Sequence, residues 1–188
     1  MRAQEEGCGL QVVLLPDLGG RPVKRYPHPR KPGYQELGGG AARASLAALH
    51  LLHCRAIFIT GRNPAKVRAL AKEMGAQPLA MEHLTQEQFD LLIHATSAGM
   101  WPHTDECFLE ADQINARVVF DLVYNPVETL LLKRARARGC RTISGLEMFV
   151  AQAARQFEYW TGLPPPLRLM RQVAARELAR LSLRVQDR

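Results

Sequence analysis

The stretch that decides the fold is AIFITGRNPAKVRALAKEMG, residues 56–75. Its first five residues, Ala56–Thr60, form an apolar run that is typical of a strand buried on both faces. Pro64–Met74 follows with a proline at its start and Gly75 just past its end, which predicts a helix. A short buried strand followed at once by a helix is the repeating unit of a parallel sheet covered by helices.

The same alternation continues on both sides of this stretch. The predicted strands are Leu91–Ala95, Arg117–Asp121 and Cys140–Ile143, and the predicted helices are Ala41–Leu52, Thr129–Arg138, Leu146–Tyr159 and a last one beyond Pro166. The sequence therefore predicts an α/β fold with a doubly wound parallel sheet. The apolar run Gln11–Leu15 (QVVLL) is short enough for one more strand, and whether it takes the first-strand position stays open.

The composition predicts three segments. Residues 1–36 are rich in proline, which predicts an irregular segment, and residues 37–163 carry the strand and helix pattern. Residues 164–188 are expected to form an amphipathic helix. The apolar stripe of that helix consists of Met170, Val173, Ala174, Leu178 and Leu181. The same domain, a further domain or another subunit could cover it.

The overall composition excludes several classes of protein. The chain has 188 residues, 47% of them hydrophobic, and no apolar run is long enough for a membrane-spanning helix. The net charge is +7, but the basic C-terminal stretch is best explained as a solvated helix face, so no nucleic acid or membrane partner is predicted.

The N-terminus lacks the apolar run of a secretory signal, which predicts a cytoplasmic protein with reduced cysteines. His50 and His53 lack further ligands nearby, and no metal site is predicted.

A glycine run precedes the first helix of the pattern. The segment Leu37–Ala44 reads LGGGAARA, and such glycines let backbone N–H groups approach a pyrophosphate at a helix N-terminus. The usual fingerprint, G-x-G-x-x-G/A after a strand, is incomplete because Leu37 replaces the first glycine. The run alone is therefore a weak signal for phosphate binding, and an ordinary glycine-rich turn is the alternative.

The end of the next strand carries cations in place of an acid. An NAD-binding fold places Asp or Glu here to hold the ribose 2′-hydroxyl. This chain has Thr60-Gly61-Arg62-Asn63, followed by Lys66. An arginine at this position pairs with a 2′-phosphate, so the sequence predicts NADP rather than NAD. A solvated Arg–Lys pair at a helix start is the alternative.

Five blocks in order carry a family resemblance. They are GGGAARA at residues 38–44, TGRNPAKV at 60–67, HATSAGMWP at 94–102, VVFDLVYNPVETLLL at 118–132 and GLEMFVAQAARQFEYWTG at 145–162. With them, the chain resembles the C-terminal NADP-binding half of shikimate dehydrogenase. It is similar to the dehydrogenase portion of enzymes that also carry a 3-dehydroquinate dehydratase. The resemblance implies a Rossmann-like domain and an NADP-dependent interconversion of 3-dehydroshikimate and shikimate, in the pathway to chorismate and the aromatic amino acids.

The resemblance also implies roles for individual residues. The candidate cofactor-binding residues are Gly38, Gly39, Gly40, Ala41, Ala42, Arg62, Asn63, Lys66, Ala95, Thr96, Ser97, Gly99, Met100, Leu122, Gly145 and Met148. Leu122, Gly145 and Met148 would line the nicotinamide, with the glycine permitting close backbone approach. Tyr124 and Gln152 match positions that bind the substrate. Thr96 and Ser97 have an alternative role as capping residues.

The chain departs from the family at several positions. His94 stands where the family usually has Asn, and Gly61 and Asn63 replace Asn and Thr of the adenosine block. The catalytic Lys and Asp of the family lie in a preceding substrate-binding domain of roughly a hundred residues. Only 36 residues precede the glycine run here, so that domain is expected to be largely missing and no catalytic residue is assigned. Whether the chain alone is an enzyme stays open. The alternative is an NADP-binding module without catalysis, whose partner would be the missing domain or a second copy.

Overall fold

The structure, a computed structural model, describes residues 11–16, 40–54 and 56–186. Its centre is a six-stranded sheet in which every paired strand is parallel to its neighbour. The strands are β1 (Gln11–Pro16), β2 (Ala56–Ile59), β3 (Gln77–Pro78), β4 (Phe89–Ala95), β5 (Ala116–Asp121) and β6 (Arg141–Ile143). The helices are α1 (Gly40–Leu51), α2 (Pro64–Met74), α3 (Leu130–Ala137), α4 (Gly145–Thr161) and α5 (Leu167–Gln186), with a 3-10 helix at Met81–Thr85.

The strand order is β3-β2-β1-β4-β5-β6, which is the order of the doubly wound dinucleotide-binding fold. The predicted fold class is therefore confirmed. Helices pack on both faces of the sheet. Successive side chains of a strand point to opposite faces, so neighbouring residues of β4 enter different cores. Ile93 packs in one core with residues of α1 and α2, whereas Leu92 packs in the other with residues of α3.

Strand β1 occupies the middle of the sheet. Val13 is in register with Phe58 of β2 on one side and with Leu92 of β4 on the other. The apolar run that the sequence left open thus fills the first-strand position. The sheet begins at residue 11, so the predicted boundary at residue 37 does not separate an irregular segment from the sheet. The frequent prolines of that segment begin only at Pro16, the last residue of the strand.

Local signals explain where α2 begins and ends. The side chain of Asn63 accepts a hydrogen bond from the N–H of Lys66 at 3.1 Å, and Pro64 occupies the first turn, where its missing N–H is not needed. Gly75 closes the helix with a φ of 65°, a left-handed conformation that glycine adopts without strain. The segment Thr60–Lys66 therefore leaves β2 as a short turn of defined shape.

Helix α5 packs against α4 within the same chain. Leu178, with Met170 and Ala174 beside it, contacts Leu146 and Val150 of α4, and Arg171 forms an ion pair with Glu147 at 2.6 Å. Val173, from the predicted apolar stripe, stays 53% exposed. The stripe is thus covered by the same domain only in part. Among the described residues, no helix is both long and apolar enough to cross a membrane.

Candidate dinucleotide-binding site

The carboxyl ends of the parallel strands bring the predicted site residues to one edge of the sheet. Arg62 follows β2, Thr96 follows β4, Leu122 follows β5 and Gly145 follows β6. Ligands of open α/β sheets bind at this edge, so the sequence-predicted residues from distant parts of the chain share a location. Gly40, Ala41 and Ala42 open α1, with Ala42 fully buried. Leu37, Gly38 and Gly39 lie outside the described residues.

A cleft of about 430 Å³ lies between the ends of β2 and β3. Its lining residues are Gly61, Arg62, Pro64, Val67, Arg68, Pro78, Leu79, Ala80, Met81 and Glu82. The guanidinium of Arg62 lies over the ring of Phe108, 5.3 Å from its centroid, which is within the range of a cation–π contact. The cleft therefore combines apolar walls with an exposed guanidinium at its rim.

The turn at the end of β2 contains one unsatisfied polar group. Thr60 is fully buried, and its hydroxyl has no hydrogen-bond partner among the residues that the structure describes. A buried polar group without a partner is costly and is uncommon in proteins. Asn63 has a role that the sequence analysis did not assign, because its side-chain oxygen caps α2. Lys66 lies exposed in the first turn of that helix.

The end of β4 is held by a buried network. The imidazole Nδ1 of His94 lies 2.8 Å from Oδ1 of Asp121, and its Nε2 lies 2.5 Å from Oγ1 of Thr96. Oδ1 of Asp121 also accepts the N–H of Val123, and Oδ2 accepts the hydroxyl of Thr129 at 2.5 Å. The network ties the ends of β4 and β5 to the start of α3. Sequence reasoning noted His94 only as a departure, and nothing in the sequence signalled its partners.

The loop after β4 is shaped by side chain and backbone together. Oγ1 of Thr96 accepts the N–H of Ala98 at 3.1 Å, a side-chain-to-backbone hydrogen bond within the turn that follows β4. Gly99 has a φ of 81°, and a Cβ there would stand 3.0 Å from the carbonyl oxygen of Glu106. The predicted site residues Ser97 and Met100 are joined by a backbone hydrogen bond of 3.1 Å within the same turn. Ala95, the last residue of β4, is buried.

Gly145 is required by backbone packing. A Cβ at this position would stand 2.4 Å from the carbonyl oxygen of Leu122 and 2.5 Å from that of Val123. The resemblance implies that this glycine lets the nicotinamide approach the backbone, which stays a prediction. The described residues show that the backbone after β5 approaches Gly145. Met148 lies half-buried on the same helix. Leu122 and Gly145 are thereby held together at the carboxyl edge.

An aromatic pair stands beside these residues. The rings of Tyr124 and Phe149 are stacked, with centroids 4.9 Å apart and planes inclined by 24°. Both residues are exposed, as is Gln152, which follows Phe149 by three positions on α4. Sequence reasoning named Tyr124 and Gln152 but missed Phe149. The helical spacing between Phe149 and Gln152 could have indicated it.

The described residues contain no group of three or more His, Cys, Asp or Glu side chains that could hold a metal ion.

Cys107 lies in the connection between β4 and β5, and its thiol has a raised pKa. Burial raises the pKa of Cys107 above its ordinary value of 9.0, and the neighbouring Arg134 opposes this in part. The thiol donates to the carbonyl oxygen of Leu109. Its partly buried position against the core favours a packing role.

Two family models match this chain. "Shikimate / quinate 5-dehydrogenase" matches residues 37–129, and "Shikimate 5'-dehydrogenase C-terminal domain" matches residues 145–175. The chain belongs to the shikimate dehydrogenase family. Shikimate dehydrogenase (NADP(+)) from Maridesulfovibrio salexigens is 38% identical over 144 residues, which are 76% of this chain and 53% of that protein.

Solved structures of shikimate dehydrogenases share the fold. A chorismate mutase/shikimate 5-dehydrogenase fusion protein from Clostridium acetobutylicum superposes with a TM-score of 0.73 at 28% identity, covering 93% of this chain and 57% of that one. The enzyme from Thermus thermophilus, solved with NADP(H) and shikimate, gives a TM-score of 0.68 at 29% identity and covers 90% and 55%. This chain thus spans about half the length of the shikimate dehydrogenases that it matches.

Proposed function

We propose that this chain is the NADP-binding half of a shikimate dehydrogenase, which interconverts 3-dehydroshikimate and shikimate with NADP in the pathway to chorismate. The observation that carries the proposal is the turn Thr60–Lys66 at the carboxyl edge. It bears two cations and no acid, and it opens on the cleft between β2 and β3. A guanidinium at this place suits a 2′-phosphate, whereas an acid would suit a free ribose hydroxyl.

The residues at the edge of the sheet fit a nicotinamide dinucleotide. The buried hydroxyl of Thr60, which has no partner among the residues that the structure describes, is a polar group that a ligand would satisfy. Arg62, Asn63 and Lys66 would hold the adenosine end, and the N-terminus of α1, with Gly38–Ala42, would face the pyrophosphate. The bound coenzyme supplies hydride transfer, and the protein supplies binding and orientation.

The nicotinamide and substrate would meet between β4, β5 and α4. Ala95, Thr96, Ser97, Gly99 and Met100 would hold the coenzyme from one side. Leu122, Gly145 and Met148 would do so from the other. Tyr124 and Gln152 would bind the substrate, because their exposed hydroxyl and amide offer hydrogen bonds to the hydroxyls and carboxylate of a small polyol acid. No catalytic residue is assigned within this chain.

The proton-transferring part of the site would come from a substrate-binding domain or a second copy of the chain. Exposed aromatic residues on α4 support such a partner. Tyr159 is 87% exposed and Trp160 is 75% exposed, and two further exposed leucines follow, Leu163 in the link to α5 and Leu167 at the start of α5. Large apolar side chains exposed at neighbouring positions favour an interaction site. The alternative is that the chain binds NADP without catalysis.

The proposal includes two further points. The likeness to the dehydrogenase portion of enzymes that also carry a 3-dehydroquinate dehydratase stays a prediction. A cytoplasmic location is supported by the free thiols of Cys107 and Cys140, which suit a reducing compartment.

The test is a pair of measurements on the purified chain. Titration with NADPH, followed by the fluorescence of Trp101 and Trp160, is expected to show saturable binding that is tighter than for NADH. Incubation with NADP and shikimate then separates the alternatives. NADPH formation supports an enzyme whose site a second copy of the chain completes. Binding without NADPH formation supports a chain that either needs a separate substrate-binding domain or binds NADP without catalysis. No preference for NADPH over NADH would contradict the proposal.

A further inference from the structure

We propose that Phe108 is a positioning residue, which holds the guanidinium of Arg62 where it can bind the 2′-phosphate of the coenzyme and thereby raises the preference for NADPH over NADH. The inference rests on the proposed function, because it takes Arg62 as a residue that binds this phosphate. It goes beyond that function by assigning a role to an aromatic residue that lies outside all five family blocks.

The contact between Arg62 and Phe108 joins two distant segments of the chain. The guanidinium of Arg62 lies over the ring of Phe108, 5.3 Å from its centroid. Arg62 follows β2, whereas Phe108 lies in the connection between β4 and β5, and the strands β2 and β4 are neighbours of β1 on opposite sides. The contact therefore ties the turn that carries the two cations to the connection that follows β4.

The ring of Phe108 belongs to an anchored segment. Phe108 is half-buried and packs against the core on the α3 face of the sheet, and the next residue, Leu109, is fully buried. The carbonyl oxygen of Leu109 accepts hydrogen bonds from the guanidinium of Arg134 at 2.6 Å and from the thiol of Cys107 at 3.2 Å. An exposed arginine such as Arg62 has many rotamers of similar energy. The contact thus restrains a side chain with many rotamers against a fixed surface.

The same contact sets where the guanidinium lies relative to the cleft. Arg62 lines the cleft between β2 and β3 together with Leu79 and Met81. Leu79, Met81 and Phe108 all pack against one buried cluster. The wall of the cleft and the ring are therefore parts of one packed body, and the ring holds the guanidinium at the rim of the cleft.

A cation–π contact suits this task better than an ion pair. The ring face attracts the charge of the guanidinium and leaves its hydrogen-bond donors for the oxygens of a phosphate. A carboxylate would also hold the side chain, but it would neutralise the charge and occupy the donors. A guanidinium that is already restrained loses less side-chain freedom when the phosphate binds, which raises the affinity. Only NADPH gains from this, because NADH has no 2′-phosphate.

The test measures the preference between the two coenzymes in variants of Phe108. Phe108→Leu removes the ring but keeps an apolar side chain for the core, and Phe108→Tyr keeps the ring. Fluorescence titration gives the ratio of the NADH dissociation constant to the NADPH dissociation constant. We expect Phe108→Leu to lower this ratio by about twofold to fivefold, and Phe108→Tyr to leave it near the value of the natural chain. A loss of folded protein weakens the binding of both coenzymes by the same factor, so it cancels in the ratio.

Two further variants separate positioning from packing. Phe58→Leu removes another ring that packs against the same core, but Phe58 stacks edge-on with Phe89 instead of contacting Arg62. We expect this variant to leave the ratio unchanged. In the Arg62→Gln background, Phe108→Leu is expected to have no further effect on the ratio, because the guanidinium that the ring positions is already absent.

Three outcomes would overturn this inference. They are an unchanged ratio in Phe108→Leu, an equal reduction in Phe108→Tyr or Phe58→Leu, and a reduction by Phe108→Leu that persists in the Arg62→Gln background. The proposed function would remain intact in each case, provided that the natural chain prefers NADPH and that Arg62→Gln removes the preference. No preference for NADPH in the natural chain would overturn both.

Discussion

Gly145 and Leu122 are in contact through backbone, because a Cβ on Gly145 would lie 2.4 Å from the carbonyl oxygen of Leu122. The N-terminus of α4 thus packs directly against the backbone that follows β5. Gly145 donates its N–H to the carbonyl oxygen of Val123 at 3.3 Å. The contact fixes the position of Met148 and Gln152, which lie on the following turns of α4.

Gly145→Ala is expected to destabilise the protein. The atoms facing the new methyl group are backbone oxygens, so the helix or the strand end must shift, at a cost of about 1–3 kcal/mol. Urea unfolding measures the change. Gly40→Ala is the matched control, since a Cβ there meets no described atom within 4 Å, and its midpoint is expected to stay near that of the natural chain. Equal midpoints for all three proteins would contradict the packing argument.

Arg62→Gln is expected to weaken NADPH binding and leave NADH binding almost unchanged. Loss of a charged hydrogen bond of about 1.5–3 kcal/mol corresponds to an affinity loss of about tenfold to 150-fold. Fluorescence titration with each coenzyme measures it. Arg117→Gln serves as the control, because Arg117 lies near the amino end of β5 and pairs with Asp90. An equal loss for NADH would show that Arg62 does not read the 2′-phosphate.

Thr129→Val is expected to lower stability by about 1–3 kcal/mol, because it removes two hydrogen bonds at once. The hydroxyl of Thr129 donates to Asp121 and accepts the N–H of Leu132 at the start of α3. Thermal unfolding followed by circular dichroism checks the change. Thr129→Ser keeps the hydroxyl and is expected to recover most of the loss. A valine variant as stable as the natural chain would contradict the expectation.

Cys107 is expected to react slowly with iodoacetamide in the native protein. Burial is the largest cause that raises its pKa, so less thiolate is present at pH 8 than in an unfolded chain. Peptide mass spectrometry after timed alkylation, with and without urea, measures the ratio of rates. A native Cys107 that reacts as fast as the unfolded one would contradict the expectation.

The raised pKa of Cys107 also affects stability. The unfolded thiol ionises near pH 9.0 and the native thiol at a higher pH, so the contribution of the protonated thiol to stability holds below pH 9 and is lost as the pH rises further.

Features set by short-range chemistry were predictable from the sequence. The apolar runs of β2, β4 and β5 and the start and end of α2 need only neighbouring residues to specify them. Strand β3 has two residues, Gln77–Pro78, and no apolar pattern, so it escaped prediction. It forms because β2 offers an unpaired edge.

The candidate site was predictable in its residues and less so in their contacts. The position of Arg62 after a strand follows from the sequence, but its contact with Phe108 joins residues 46 positions apart. The same holds for His94 and Asp121, which meet only because β4 and β5 are neighbours in register. The role of Gly145 likewise depends on the path of the chain after β5, which local patterns do not specify.

In the sheet that the described residues form, strand β1 lies between β2 and β4 and joins them. A chain without residues 11–16 would not merely lose an outer strand, because β3-β2 and β4-β5-β6 would each gain an open inner edge. Such edges, rich in Ile, Leu and Phe, are templates for pairing with strands of other molecules. A short peptide of sequence QVVLLP supplied separately would compete for the same gap. Deletion of this hexapeptide is therefore expected to cause self-association of the chain.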